Sequence, residues 1–197
     1  VALCSGFFGF YAHCGFLRGL EAEGFAPSAL AGSSAGALVA GLWAAGRDAA
    51  DMADELLGMT RADFWDPGPG LGLLRGRRFA TRLERALPVA SFERTRVPLA
   101  VSVWEISGRR TVVRTQGPLA PAIQASCSFP GLFQPVIIDG RRYLDGGIAD
   151  RSALDALDAV AAPGERVLHH HLESKSPWRR AGSGALRIPG RPGLVAV

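Results

Sequence analysis

The pentapeptide Gly32-Ser33-Ser34-Ala35-Gly36 constrains this chain more than any other stretch. A short β-like run, Pro27-Ser28-Ala29-Leu30-Ala31, precedes it, and an apolar helical stretch, Ala37-Leu38-Val39-Ala40-Gly41-Leu42-Trp43, follows. The order is G-x-S-x-G in its strand–turn–helix setting, where a sharp turn lifts the central hydroxyl onto an exposed, strained corner. Glycines two residues to either side leave room where a Cβ would strike the strand or the helix. The helix opens at the serine, so its free N–H groups and its dipole face any negative charge that forms there. Those are the conditions for a nucleophilic serine, Ser34.

The rest of the chain supplies a frame for that corner. Val1 to Ser5 reads as a short buried strand, and Gly6-Phe7-Phe8-Gly9 as a loop. Tyr11 to Glu23 reads as a helix with Ala12, Phe16, Leu17 and Leu20 on its apolar face and Gly24 as its stop. The elbow helix ends near Gly46, and Asp48 is placed to N-cap another through Leu57. This β-α-β-α opening implies a parallel sheet with right-handed crossovers. Further on, Arg77 to Ala86, Leu119 to Ala125 and Ala153 to Val160 read as helices. Val97 to Ile106, Thr111 to Thr115, Arg166 to His170 and Leu194 to Val197 read as strands. Val136 to Ile138 and Arg142 to Leu144 flank Asp139-Gly140, a hairpin signal. Phe64 to Leu74 is apolar yet full of Pro and Gly, which excludes a regular helix. It is either a mobile cap over a site or a loop pinned by its aromatics.

A chain of 197 residues with 48% hydrophobic and 20% charged residues suits one domain with a buried core and excludes a disordered chain. No apolar run reaches the roughly 18–20 residues of a membrane span, and no basic segment leads into an apolar one. The three cysteines, Cys4, Cys14 and Cys127, sit among apolar or small residues and read as reduced, buried thiols. Together these predict a cytoplasmic protein. The net charge of +4 is local: Lys175, Arg179, Arg180, Arg187 and Arg191 follow Ser174 with no acid, and without them the remainder is one charge negative. This Pro/Gly-rich basic segment, 174–197, reads as a solvated linker, with peripheral contact to an anionic membrane as the functional alternative. It lacks aromatics beyond Trp178, which argues against nucleic acid.

A serine hydroxyl needs a base within hydrogen-bond reach and donors for the oxyanion. Asp145-Gly146-Gly147 ends a strand-like run, and its two glycines let the backbone bend and bring the carboxylate onto another loop. As an isolated Asp-Gly pair it also reads as an ordinary turn. Gly6-Phe7-Phe8-Gly9 opens a helix, so its N–H groups suit an anion, or it is simply a tight β-to-α turn.

Taken in order, the Gly6 loop, Gly32-Ser33-Ser34-Ala35-Gly36, Ala125-Ser126-Cys127-Ser128-Phe129-Pro130 and Asp145-Gly146-Gly147 resemble the patatin-like phospholipases, from about Val1 to Asp150. Ala12-His13 with Gly15 and Leu17 fits the helix after that family's oxyanion loop. The resemblance implies a three-layer α/β/α fold with a central, mainly parallel sheet, and lipid acyl hydrolysis by a Ser–Asp dyad without histidine or cofactor. Carried over, Ser34 is the nucleophile, Asp145 the base, and the N–H groups of Gly6, Phe7 and Phe8 the oxyanion donors. The chain departs from the family at the loop. Where three glycines, any residue and Arg-Gly are usual, it has Ser5-Gly6-Phe7-Phe8-Gly9-Phe10, whose apolar side chains suit contact with an acyl chain.

Three rival readings follow from the same residues. His169, His170 and His171 come after Asp145, giving the chain order of a Ser–Asp–His α/β-hydrolase, but only one strand and one helix precede Ser34. His169 and His171 share a strand face, a metal-binding spacing, yet only His13 remains as a further histidine. The glycine turn at a helix start also suits a weakly active or non-catalytic lipid-binding protein; it lacks the G-x-x-x-x-G-K-[ST] pattern of nucleotide hydrolysis.

Overall fold

The computed structural model of the chain describes residues 1–172 and 193–197. Its frame is laid down early. β1 (Ala2–Leu3) leads through α1 (Phe10–Ala22) to β2 (Leu30–Ser33), then α2 (Ala35–Ala44) and α3 (Ala49–Leu57). This is the β-α-β-α opening expected, with Asp48 capping α3 by accepting from the Asp51 N–H at 2.7 Å. There follow β3 (Gly72–Leu74), α4 (Arg77–Ala86), β4 (Leu99–Glu105), β5 (Arg110–Arg114) and α5 (Leu119–Ser126). Then come β6 (Gly131–Phe133), β7 (Val136–Ile138), β8 (Arg141–Asp145), α6 (Leu154–Leu157), β9 (Val167–His170) and β10 (Leu194–Ala196).

Eight strands form one sheet in the order β10-β9-β1-β2-β4-β8-β7, with β5 also on β4. From β10 to β4 every pairing is parallel. The β4–β5, β4–β8 and β7–β8 pairings are antiparallel. The sheet is thus mixed, its crossovers confined to the parallel half. Asp139 and Gly140 turn β7 into β8 with φ of 51° and 74°, the pair of positive angles that a two-residue type I′ hairpin needs.

Alternation along the strands decides the layers, because successive side chains point to opposite faces. Leu3, Leu30, Leu99, Val101 and Val103 join the larger core with α1 to α5. Ala2, Ala31, Ala100 and Val167 face the other way, onto α6. The three layers are therefore unequal. The small residues on the second face let the four-residue α6 sit close, whereas the first face holds the bulk of the apolar volume. α2 lies at its centre with every residue buried. A Cβ at Gly41 would stand 2.3 Å from Ile123 Cδ1, so this glycine lets α5 press directly on α2.

Several boundaries differ from the sequence reading for local reasons. β2 begins at Leu30 rather than Pro27, since proline has no N–H for the ladder and pairing starts where the Leu30 N–H donates to Pro98 O. In α1 the buried residues are His13, Cys14 and Leu17, while Ala12 is exposed. The Pro/Gly-rich segment is pinned rather than mobile. Asp66 accepts from the N–H groups of Gly76, Arg77 and Arg78, Phe64 packs 5.4 Å from Phe79, and β3 pairs with β6. The basic residues from Lys175 to Arg191 lie outside the described residues. Among the described residues no helix is long and apolar enough to cross a membrane.

Candidate active site

Two strands meet head to head along one edge of β4. β2 runs parallel to it and reaches Ser33 opposite Ser102; β8 runs antiparallel and reaches Asp145 opposite Val103. β5 holds the other edge over the same residues, so β2 and β8 share this one. The two chains leave the sheet at adjacent positions, one as the Ser34 elbow and the other as the Asp145-Gly146-Gly147 turn.

The elbow is as strained as its sequence implies. Ser34 has φ 54° and ψ −119°, a conformation non-glycine residues rarely adopt. The flanking glycines are sterically required. A Cβ at Gly32 would lie 2.4 Å from Gly36 O, and one at Gly36 would lie 2.0 Å from Leu3 O. Ser126, at the end of α5, anchors the corner: its hydroxyl accepts the Ser34 N–H at 2.9 Å and donates to Ser102 O at 2.7 Å. The Cys127 thiol donates to Ser34 O at 3.2 Å. Burial, reinforced by Asp145, pushes that thiol well above its ordinary value and keeps it protonated.

Ser34 and Asp145, both singled out from the sequence, are brought together. The Ser34 hydroxyl donates to Asp145 Oδ2 at 2.7 Å, while Oδ1 accepts the Gly147 N–H, also at 2.7 Å. The Asp145 carboxyl is buried, and desolvation raises its pKa from 3.8 to about 6 against the lowering pull of those two hydrogen bonds. The turn beyond it is close-fitted. A Cβ at Gly146 would stand 2.1 Å from Ser102 O, and one at Gly147 would stand 2.3 Å from Ser5 Oγ. The Ser102 hydroxyl bonds Asp150, which also accepts the Ala156 N–H, so β4, the turn and α6 are tied together.

The Gly6 loop leaves β1 beside this turn. It closes as a tight turn, Gly9 N–H to Gly6 O at 2.8 Å, with Phe8 at φ 59°. Among the described residues the N–H groups of Gly6, Phe7 and Phe8 have no acceptor. The peptide entering the loop is held on both sides: the Ser5 N–H donates to Arg151 O, and His13 Nε2 donates to Cys4 O at 2.8 Å. Since that nitrogen carries the His13 proton, its Nδ1 accepts from His170 Nδ1, 2.8 Å away. Burial first, and the neighbouring His170 second, lower the His13 pKa to about 3.

The histidine-based readings find no geometry. Among the described residues no histidine bonds Ser34 or Asp145, so the triad is not assembled. The His169 and His171 rings lie 5.8 Å apart, and among the described residues no group of three or more His, Cys, Asp or Glu is arranged to hold a metal. Three contributors went unassigned from sequence: Ser126, Ser102 and His13. Ser126 stood in a recognised motif, yet its role depends on where α5 ends beneath the elbow. His13 belongs to the stretch that resembles the helix after the family's oxyanion loop, but the resemblance carries no role for its side chain.

Known proteins agree with this architecture. The chain is 34% identical over 165 residues to an uncharacterized NTE family protein of Mycobacterium bovis, covering 82% of this chain and 46% of that one. It is 26% identical to lysophospholipase NTE1 of Mycosarcoma maydis, covering 77% of this chain and 8% of the relative. It thus spans less than half the length of either. Among solved structures, VipD from Legionella pneumophila superposes with a TM-score of 0.61 at 16% identity, over 75% of this chain and 45% of VipD, a likeness of fold. The sequence model of the patatin-like phospholipases matches residues 1–158, and the chain belongs to that family.

Proposed function

We propose that this chain is a serine acyl hydrolase of lipid esters, a phospholipase A or lysophospholipase, with Ser34 as nucleophile and Asp145 as base. One observation supports it above all others: the hydroxyl on the strained elbow donates directly to a buried carboxylate at 2.7 Å. An aspartate in water is a far weaker base than an alkoxide. Burial that lifts Asp145 to about 6 narrows the gap, and a general base so placed contributes about 10²–10⁴ in rate.

In this mechanism Ser34 Oγ bonds to the ester carbonyl carbon as its proton passes to Asp145. The carbonyl π pair moves to oxygen, where the N–H groups of Gly6, Phe7 and Phe8 would meet it. Collapse breaks the ester C–O bond, and the leaving alkoxide takes the proton from Asp145. Water, giving its proton to Asp145, then attacks the acyl-serine, and Ser34 Oγ departs with that proton. The fungal relatives named as lysophospholipases and the family's own description favour a lipid ester as the substrate.

A fluorophosphonate probe and a fatty-acid release assay on lysophosphatidylcholine test the proposal. The native protein is expected to label and to turn over, and Ser34→Ala to do neither. Absence of both in the native protein removes the enzyme reading. It would favour instead a lipid-binding protein without turnover, a reading that Phe8, a bulky residue at positive φ in the loop, already supports.

A further inference from the structure

The segments that frame Ser34 carry an unusual amount of exposed apolar surface. Phe7 and Phe8 are 71% and 67% exposed. Phe129, one residue past the Ser128 carbonyl that accepts the Asp145 N–H, and Ile148, one past Gly147, are each nearly half exposed. The Phe7 ring meets Phe8 edge-on at 4.8 Å and Phe129 at 6.1 Å, so these three rings form one patch. The two-stranded sheet carries further exposed apolar side chains nearby in the chain path: Gly72 pairs with Gly131, two residues after Phe129. Leu74 points inward, so Leu71 and Leu73, 68% and 50% exposed, share the outward face. Exposed apolar side chains gathered on neighbouring segments in this way mark a docking site.

Its border is cationic. Arg75 continues the alternation of Leu71 and Leu73, and Arg77 opens α4; both are exposed. Neither guanidinium has a carboxylate partner among the described residues. Aromatic and leucine side chains edged by free arginines match a phospholipid surface, where rings and aliphatics enter the acyl boundary and guanidiniums meet phosphates. We propose that this rim docks the protein on a phospholipid bilayer with the Ser34 elbow facing the lipid. The purpose of the docking rests on the lipid-ester reading, but its test does not.

Flotation with vesicles of phosphatidylcholine, with and without phosphatidylglycerol, reads the docking directly. The native protein and Ser34→Ala are both expected to float. The triple variant Leu71→Ser/Leu73→Ser/Phe129→Ser is expected to partition about tenfold less or worse, since each residue gives up transfer of apolar surface. Its circular dichroism and its hydrolysis of a water-soluble short-chain ester should stay native. Arg75→Glu should lose binding only where phosphatidylglycerol is present. The proposal is overturned if the native protein does not float, if the triple variant floats equally, or if sedimentation shows the patch buried between two copies. A native protein that floats yet cleaves no ester leaves the docking standing and removes the enzyme reading.

Discussion

Ser33 and Asp145 occupy consecutive places along one edge of β4, beside Ser102 and Val103. Two strands arriving from opposite directions thus leave the sheet at one point, and 111 residues of sequence separation between Ser34 and Asp145 close to a 2.7 Å hydrogen bond. Position here comes from ladder register, a quantity that neither motif contains.

Asp145→Asn separates activity from stability. The substitution removes the proposed base, so kcat on a soluble ester should fall about 10³-fold. A carboxyl raised to about 6 in the fold is costly to ionise there, a penalty that appears as pH rises from about 3.8 and is complete above about 6. At pH 7 the neutral amide escapes it, and the variant should unfold at a higher temperature, by the equivalent of about 1–3 kcal/mol. Differential scanning fluorimetry beside an ester assay reads both effects.

The same carboxyl should set the acid limb of the pH profile. The deprotonated form is the active one, so kcat/KM should fall about tenfold per unit below about pH 6, well above the ordinary carboxylate range. A profile taken with a non-titrating leaving group, and showing an inflection near 4, would contradict the burial argument.

Ser126→Ala should leave the Ser34 N–H without an acceptor and Ser102 O without a donor. The expected cost is about 1–3 kcal/mol for orphaning a buried backbone group. Denaturant melts measure it, and kcat should fall with KM nearly constant because the elbow alone is loosened.

Sequence and structure coincide most closely where function depends on local backbone. Gly32 and Gly36 are legible because a Cβ at either would collide with neighbouring backbone, and the Asp-Gly-Gly turn for the same reason. β3 and β6 were not: each is three residues long, set among prolines and glycines, and exists only through its partner 59 residues away in register. His13 fits the resemblance, but its anchoring role is not legible because its partners, Cys4 O and His170, lie on other elements.

Those buried histidines should make the fold acid-sensitive. His13 and His169, lowered from 6.5 to about 3 and about 4 chiefly by burial, stay neutral in the fold while the unfolded chain takes up protons below about pH 6.5. Stability should therefore decline as pH falls through that window, opposing the smaller gain from Asp145. His13→Gln, which offers an amide donor toward Cys4 O, should shift the acid-unfolding midpoint to lower pH, and His13→Ala should lower stability at neutral pH as well.

The full burial of α2 has a consequence for amide exchange. Its hydrogen-bonded amides should be replaced by deuterium only when the whole fold opens, which places Ser34, the proposed nucleophile, on the slowest-exchanging unit of the chain. The N–H groups of Gly6, Phe7 and Phe8, with no acceptor among the described residues, should exchange at once. The serine is then held by the part of the protein that moves last, and the proposed oxyanion donors by the part that moves first.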